Sequence, residues 1–97
     1  MDQPDSIIHQ PIRLKIMAAL KPLPAADQLE FVRLKTLVGA TDGNLGAHIS
    51  ALESAGYVEV EKDFAGKKPR TRVRLTKAGR RAFEGYVTFL RDIIEQS

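Results

Sequence analysis

Apolar residues recur along this chain in three different rhythms, and each rhythm predicts a different element. After Pro11, which suits the first turn of a helix because its missing N–H is not needed there, Ile12, Ile16, Met17 and Leu20 follow helical spacing, with Leu14 at the edge of that face. Lys21-Pro22-Leu23-Pro24 ends this helix, since neither proline can continue it. Residues 29–31 predict a very short strand, and residues 32–38 a second helix with Leu34, Leu37 and Val38 apolar. Gly39 can adopt the left-handed conformation that closes a helix. Thr41 or Asp42 is the expected N-cap of a third helix, whose face Leu45, Ile49 and Leu52 runs to Ala55, with Gly56 as its C-terminal stop. Helices two and three are thus joined by a tight turn, as in a helix-turn-helix.

The rhythm then changes to period two. Residues 57–64 and 70–75 predict two strands joined by a four-residue loop over 65–68. Val58, Val60 and Phe64 share one parity, and Thr71, Val73 and Leu75 the other; a one-residue slip would flip every face. The register that turns both sets toward a core pairs Val60 with Val73 and Val58 with Leu75. On the outer face it sets Asp63 opposite Arg70, Glu61 opposite Arg72 and Glu59 opposite Arg74. Three opposite-charge pairs from one register, each worth ~0.2–1 kcal/mol, support it. Residues 76–95 predict a long helix capped by Thr76. Its apolar stripe is Phe83, Tyr86, Val87, Leu90, Ile93 and Ile94, with Phe89 at the edge.

Composition bounds the reading. Ninety-seven residues, 43% hydrophobic and 28% charged, fit one soluble domain over residues 1–97, with 1–8 expected as a flexible arm on which Ile7 and Ile8 could still pack. The absence of cysteine excludes disulfides and thiolate zinc sites and is compatible with a cytoplasmic location. No apolar run reaches the ~18 residues of a membrane span, and the acidic start does not read as a signal peptide. Net charge is +3, but nine of the fifteen Lys and Arg residues lie between 62 and 81, against one acid, Asp63. Such asymmetry favours a polyanion at one face; a solvated hairpin is the bland alternative. Because the strand arginines face carboxylates, the cations expected to be most free are Lys67 and Lys68, with Arg70 just behind them.

No comparable case exists for catalysis. Ser50, Ser54 and Thr41 have no neighbouring base, Glu59 and Glu61 have arginine partners, and the glycines do not form a phosphate loop. His9 and His48 stand too far apart in sequence, with no acidic cluster, to suggest a metal site. No cofactor is expected, and nothing places polar groups for a small-molecule effector. Tyr57, Phe64 and Tyr86 read as core or interface residues.

Several runs together resemble the winged helix-turn-helix transcriptional regulators of the MarR/ArsR kind, in their compact single-domain form. These are His9-Gln10-Pro11-Ile12-Arg13-Leu14, Thr41-Asp42-Gly43-Asn44-Leu45-Gly46-Ala47-His48-Ile49, Leu52-Glu53-Ser54-Ala55-Gly56-Tyr57-Val58, Pro69-Arg70-Thr71 and Leu75-Thr76-Lys77-Ala78-Gly79-Arg80. The resemblance covers roughly residues 9–90. It implies a mainly α fold with a small β-sheet: a three-helix core, a two-stranded wing and a long C-terminal helix. It also implies a homodimer on double-stranded DNA. Base-reading positions would be Asp42, Asn44, Gly46, Ala47, His48 and Ala51, with Thr41 and Ser50 on phosphates. Lys67, Lys68, Arg70 and Arg72 would serve from the wing. The dimer interface would use Phe83, Tyr86, Val87, Phe89, Leu90, Ile93 and Ile94; packing on the first helix of the same chain is the alternative. One departure stands out: no Lys or Arg lies between Lys35 and Lys62, where family members often carry a cation. Small residues let a helix sit deep in a groove, yet a helix this poor in cations also fits a module that binds protein instead of DNA. His48 is likewise open between a DNA contact and a boundary histidine.

Overall fold

A computed structural model describes residues 5–25 and 27–96. The order is α1 (Pro11–Leu20), β1 (Leu29–Glu30), α2 (Phe31–Val38), α3 (Asp42–Ser54), β2 (Val58–Ala65), β3 (Lys68–Leu75) and α4 (Lys77–Glu95). The three strands form one antiparallel sheet in the order β1-β3-β2. This is the winged helix-turn-helix architecture expected from the sequence, mainly helical with a small sheet.

The core is built from the predicted faces. Ile16, Met17 and Leu20 of α1, Leu34 and Val38 of α2, and Leu45, Ile49 and Leu52 of α3 meet Val58, Val73 and Leu75 of the sheet, and Tyr86 of α4 closes it. Gly39 takes the left-handed conformation, φ 73°, and its N–H reaches the carbonyl of Lys35, so α2 stops where the sequence says it should. Thr41, not Asp42, caps α3, its hydroxyl accepting the Asn44 N–H at 3.2 Å.

The hairpin has the predicted register throughout: Val58 pairs with Leu75, Val60 with Val73, and Asp63 with Arg70. Its turn is shorter than expected. The ladder continues to Ala65 opposite Lys68, leaving a two-residue turn of Gly66 and Lys67 with only Gly66 at positive φ (67°). A left-handed first residue followed by an ordinary one is the pattern of a II′ turn, whose twist matches that of the strands. Phe64 has the predicted parity but not the predicted burial, being 69% exposed. It lies four residues beyond Val60, ~13 Å farther along the strand and one pair from its end at Ala65.

In the N-terminal segment Ile7 and Ile8 take the packed alternative. Residues 1–4 lie outside the described residues, but Asp5 to Ile8 form part of the body. Ile8 is completely buried. The Asp5 carboxylate accepts the N–H groups of Ile7 (2.8 Å) and Ile8 (3.3 Å), and its other oxygen accepts the Tyr57 hydroxyl at 2.6 Å. That bond holds the Tyr57 phenol up at about 12, because ionisation would forfeit the donor and place a second negative charge beside Asp5.

The start of α4 is seated on the end of α3. Thr76 caps α4 by accepting the Gly79 N–H (2.9 Å) while its hydroxyl donates to the Gly56 carbonyl (2.6 Å). Gly79 lies so close to the Tyr57 backbone that a Cβ there would stand 2.1 Å from the carbonyl oxygen. Arg80, counted in the sequence with the polyanion-facing cations, donates instead to the carbonyls of Lys21 (3.0 Å) and Leu23 (3.2 Å) at the end of α1. That is the use a helix C-terminus makes of a cation.

Candidate nucleic-acid interface

The buried positions Leu45, Ile49 and Leu52 determine which face of α3 looks outward. With 3.6 residues per turn the opposite face is Gly43, Ala47, Ser50 and Ser54, flanked by Asn44 and Ala51. Gly43, Asn44, Ala47, Ser50 and Ser54 are all exposed, and Ala51 is half-buried. Asn44, Ala47, Ser50 and Ala51 from the predicted set therefore share one surface. Gly43 and Ser54 belong to it as well and were not singled out from the sequence, although the spacing from Leu45 and Ile49 already placed them there.

The other predicted positions sit on the flanks. Gly46 and Ser50, with Glu53, line one side of a cleft of about 240 Å³ whose other walls are Phe31 and the wing residues Val60, Lys62 and Thr71. On the opposite flank His48 is half-buried, and its Nδ1 accepts the Arg13 Nε–H at 3.0 Å. This bond requires the tautomer with hydrogen on Nε2, so the ring offers a donor from Nε2 and nothing from Nδ1. Arg13 also donates to the Ile7 carbonyl (3.2 Å), which ties the N-terminal segment to α3 through one guanidinium. Asp42 is exposed and paired with Lys35 of α2 at 2.8 Å, and Thr41 is engaged as the cap.

Among the described residues nothing crowds the Cβ position of Gly43 or Gly46. A Cβ at either would meet nothing within 4 Å, and neither has a positive φ. Gly in a helix interior costs ~1 kcal/mol relative to Ala. Their bareness leaves the α3 backbone open to close approach from outside.

The wing divides its charges between its two faces. On the outer face Arg70 grips Asp63 with two hydrogen bonds (2.9 and 2.8 Å), Arg72 bonds both Glu61 and Asp63 (2.8 Å to the latter), and Arg74 pairs with Glu59 at 2.8 Å. The hydrogen bond from Arg70 holds the Asp63 carboxyl below its ordinary value, outweighing the opposing effect of desolvation, and the same bond raises Arg70. The predicted wing contacts Arg70 and Arg72 are therefore neutralised by their neighbours, and Arg70 is not among the free cations. Lys62, Lys67 and Lys68 are exposed and make no ion pair among the described residues. Lys62, counted from the sequence within the basic wing (62–74) but not among its named contacts, has the parity of the inner face, away from the neighbouring acids.

The predicted interface stripe on α4 is split. Tyr86 is buried in its own chain, with its hydroxyl 3.4 Å from His9 Nδ1. Phe83 and Leu90 also pack partly on the core. Val87 and Phe89 are half-buried, Ile93 is 49% exposed and Ile94 72%. The described helices include none long and apolar enough to cross a membrane.

Residues 12–94 match the family model of a winged helix DNA-binding domain. An uncharacterised protein of Methanocaldococcus jannaschii is 37% identical over 81 residues, 84% of this chain and 85% of its own length. Among solved structures, a transcriptional regulator homologue from Pyrococcus horikoshii OT3 superimposes with a TM-score of 0.83 at 32% identity, covering 93% of this chain and 86% of that one. A MarR-family transcriptional regulator from Silicibacter pomeroyi shares the fold, with a TM-score of 0.71 at 22% identity over 94% of this chain and 58% of its own. With its three-helix core, Thr41-capped third helix and basic wing, the chain belongs to the family of winged helix DNA-binding domains.

Proposed function

We propose that this protein binds duplex DNA as a homodimer, with α3 in the major groove and the wing tip on the flanking backbone or minor groove. The observation that carries the reading is the pairing of two surfaces. The exposed face of α3 is free of bulk, and the wing beside it carries cations without ion pairs among the described residues: Lys62 in the cleft wall, Lys67 and Lys68 at the tip. A major groove ~12 Å wide admits a helix, and small side chains let it enter deeply. Asn44 offers the amide that pairs bidentately with adenine, the Ala47 methyl can meet a thymine methyl, and Ser50 can reach a phosphate. With no cation on α3, affinity comes mainly from the wing lysines and from duplex shape.

The dimer would form through the distal half of α4. That helix is 19 residues long, or ~28 Å, and Ile93 and Ile94 near its end are exposed. Val87, Phe89 and Ile94 belong to the stripe but lie outside the core cluster that takes Tyr86 and Leu90. Two such chains would set their α3 helices in successive major grooves about 34–36 Å apart. In this reading the protein acts in the cytoplasm, where its DNA lies.

A salt series tests the electrostatic part. Duplex affinity of the wild type should fall steeply with salt, and the double change Lys67→Ala and Lys68→Ala should weaken all duplexes alike and reduce the slope by ~1 per lysine that contacts a phosphate. An unchanged slope would remove the wing tip from the interface. If the protein binds no duplex even at low salt, the alternative of a protein-binding winged helix takes its place.

A further inference from the structure

The wing tip carries a feature that electrostatics alone does not use. Phe64 projects 69% exposed from β2, and Pro69, its cross-strand partner, is exposed as well. No described strand covers them, because β1 pairs with β3 only at Val73 and Arg72. Pro69 is tolerated because no described strand pairs with the β3 edge at that point, and it keeps that edge from pairing with another strand.

The two faces of the wing differ in kind. The outer face is a closed set of ion pairs between Glu59, Glu61 and Asp63 and the three strand arginines. The inner face carries Phe64, with Lys62 two residues behind it, and Lys67 and Lys68 flank the tip. None of these lysines has an acidic partner among the described residues. This inner face is also the one that walls the cleft opposite α3. An occupant of such a face must be anionic at its rims and apolar between them. The minor groove of duplex DNA is so built, with phosphates on both edges and deoxyribose and base edges between, in a channel ~6 Å wide.

We propose that Phe64 is an apolar wedge that packs on deoxyribose and base edges in the minor groove, while Lys62, Lys67 and Lys68 hold the phosphates at its rims. The assignment rests on the duplex-binding reading above. It makes Phe64 a determinant of affinity and of preference for easily deformed steps, since apolar wedges partly unstack the base pairs they enter.

The chain has no tryptophan, so Phe64→Trp places a single reporter at the tip. Indole emission of this variant is followed as a random-sequence pool of duplexes is added, alongside salt titrations of wild type, Phe64→Ala and Lys67→Ala. The expected results are quenching of the indole by duplex and a roughly tenfold loss of affinity in Phe64→Ala. The salt slope of Phe64→Ala should stay unchanged, because an apolar contact releases no counterions, whereas Lys67→Ala should lower it by ~1. Wild type that binds duplex, while Phe64→Ala binds equally well and the indole emission of Phe64→Trp stays still, overturns the wedge and leaves the DNA reading intact. Wild type that binds no duplex at low salt overturns both. Indole emission that shifts on anionic phospholipid vesicles but not on duplex assigns the tip to a lipid surface and also overturns the proposal.

Discussion

Gly79→Ala tests whether the junction between α3, the wing and α4 is as tight as described. A Cβ at residue 79 would lie 2.1 Å from the Tyr57 carbonyl oxygen, 2.9 Å from its carbonyl carbon and 3.0 Å from Leu75 Cδ1, against 3.4–4 Å for ordinary contact. The nearest atoms are backbone, so relief requires a shift of about 1 Å in the start of α4 or in the strand entry. The displaced oxygen is the one that accepts the Thr76 N–H at 3.0 Å, so the same shift strains that bond and the Thr76 cap. Overpacking costs about 1–3 kcal/mol and a weakened hydrogen bond about 1, while Ala returns up to ~1 through helix propensity. The net expectation is destabilisation by about 1–3 kcal/mol. Gly46→Ala is the matched control: its Cβ meets nothing within 4 Å, so it should stabilise by ~0.4–1 kcal/mol. Urea unfolding at one fixed protein concentration measures both, since self-association would otherwise shift the midpoints. If Gly79→Ala is as stable as the wild type, the close approach at Tyr57 is wrong.

The remaining predictions concern charge and association. Tyr57 has its phenol raised from 10.0 to about 12 by the bond to Asp5, so its contribution is fully present below pH 10 and lost as pH rises through about 12; the stability gap between wild type and Tyr57→Phe, followed by urea unfolding, should close across that window. Asp63→Asn removes the carboxylate that neutralises Arg70 and Arg72, so duplex affinity should rise and the salt slope steepen by ~1–2 phosphates, read by anisotropy; unchanged binding would show that the outer face of the wing stays off the DNA. Ile94→Glu, at a residue 72% exposed, should leave monomer folding intact and shift sedimentation toward the monomer, and a variant that remains a dimer would remove distal α4 from the interface.

What could be read in advance followed the range of the interactions. Helix faces, the Thr76 cap and the Gly39 stop are local and were legible, while the cap of α3 stayed open between Thr41 and Asp42. So was the hairpin register, because hydrophobic parity and three charge pairs agreed on it. The two-residue turn was not, since Gly66 at positive φ removes the need for a longer loop without altering any pairing. Ile8 gave no periodic signal after a polar start, and its burial depends on Asp5 reaching Tyr57, far along the chain. Arg80 was counted with the polyanion-facing cations because charge counts do not show that it caps α1. Phe64 had the right parity, but parity cannot tell where the body beneath a strand ends. On α3, the outward face was partly read from the resemblance, while Gly43 and Ser54 follow from the helical wheel once the buried face is known.

The central claim, a dimer reading duplex DNA, is tested most directly by selecting bound sequences from a random duplex library and counting chains in the recovered complexes. Enrichment of an inverted repeat occupied by two chains, with half-site centres about 34–36 Å apart, is the predicted result. Failure to recover any duplex at low salt would contradict it.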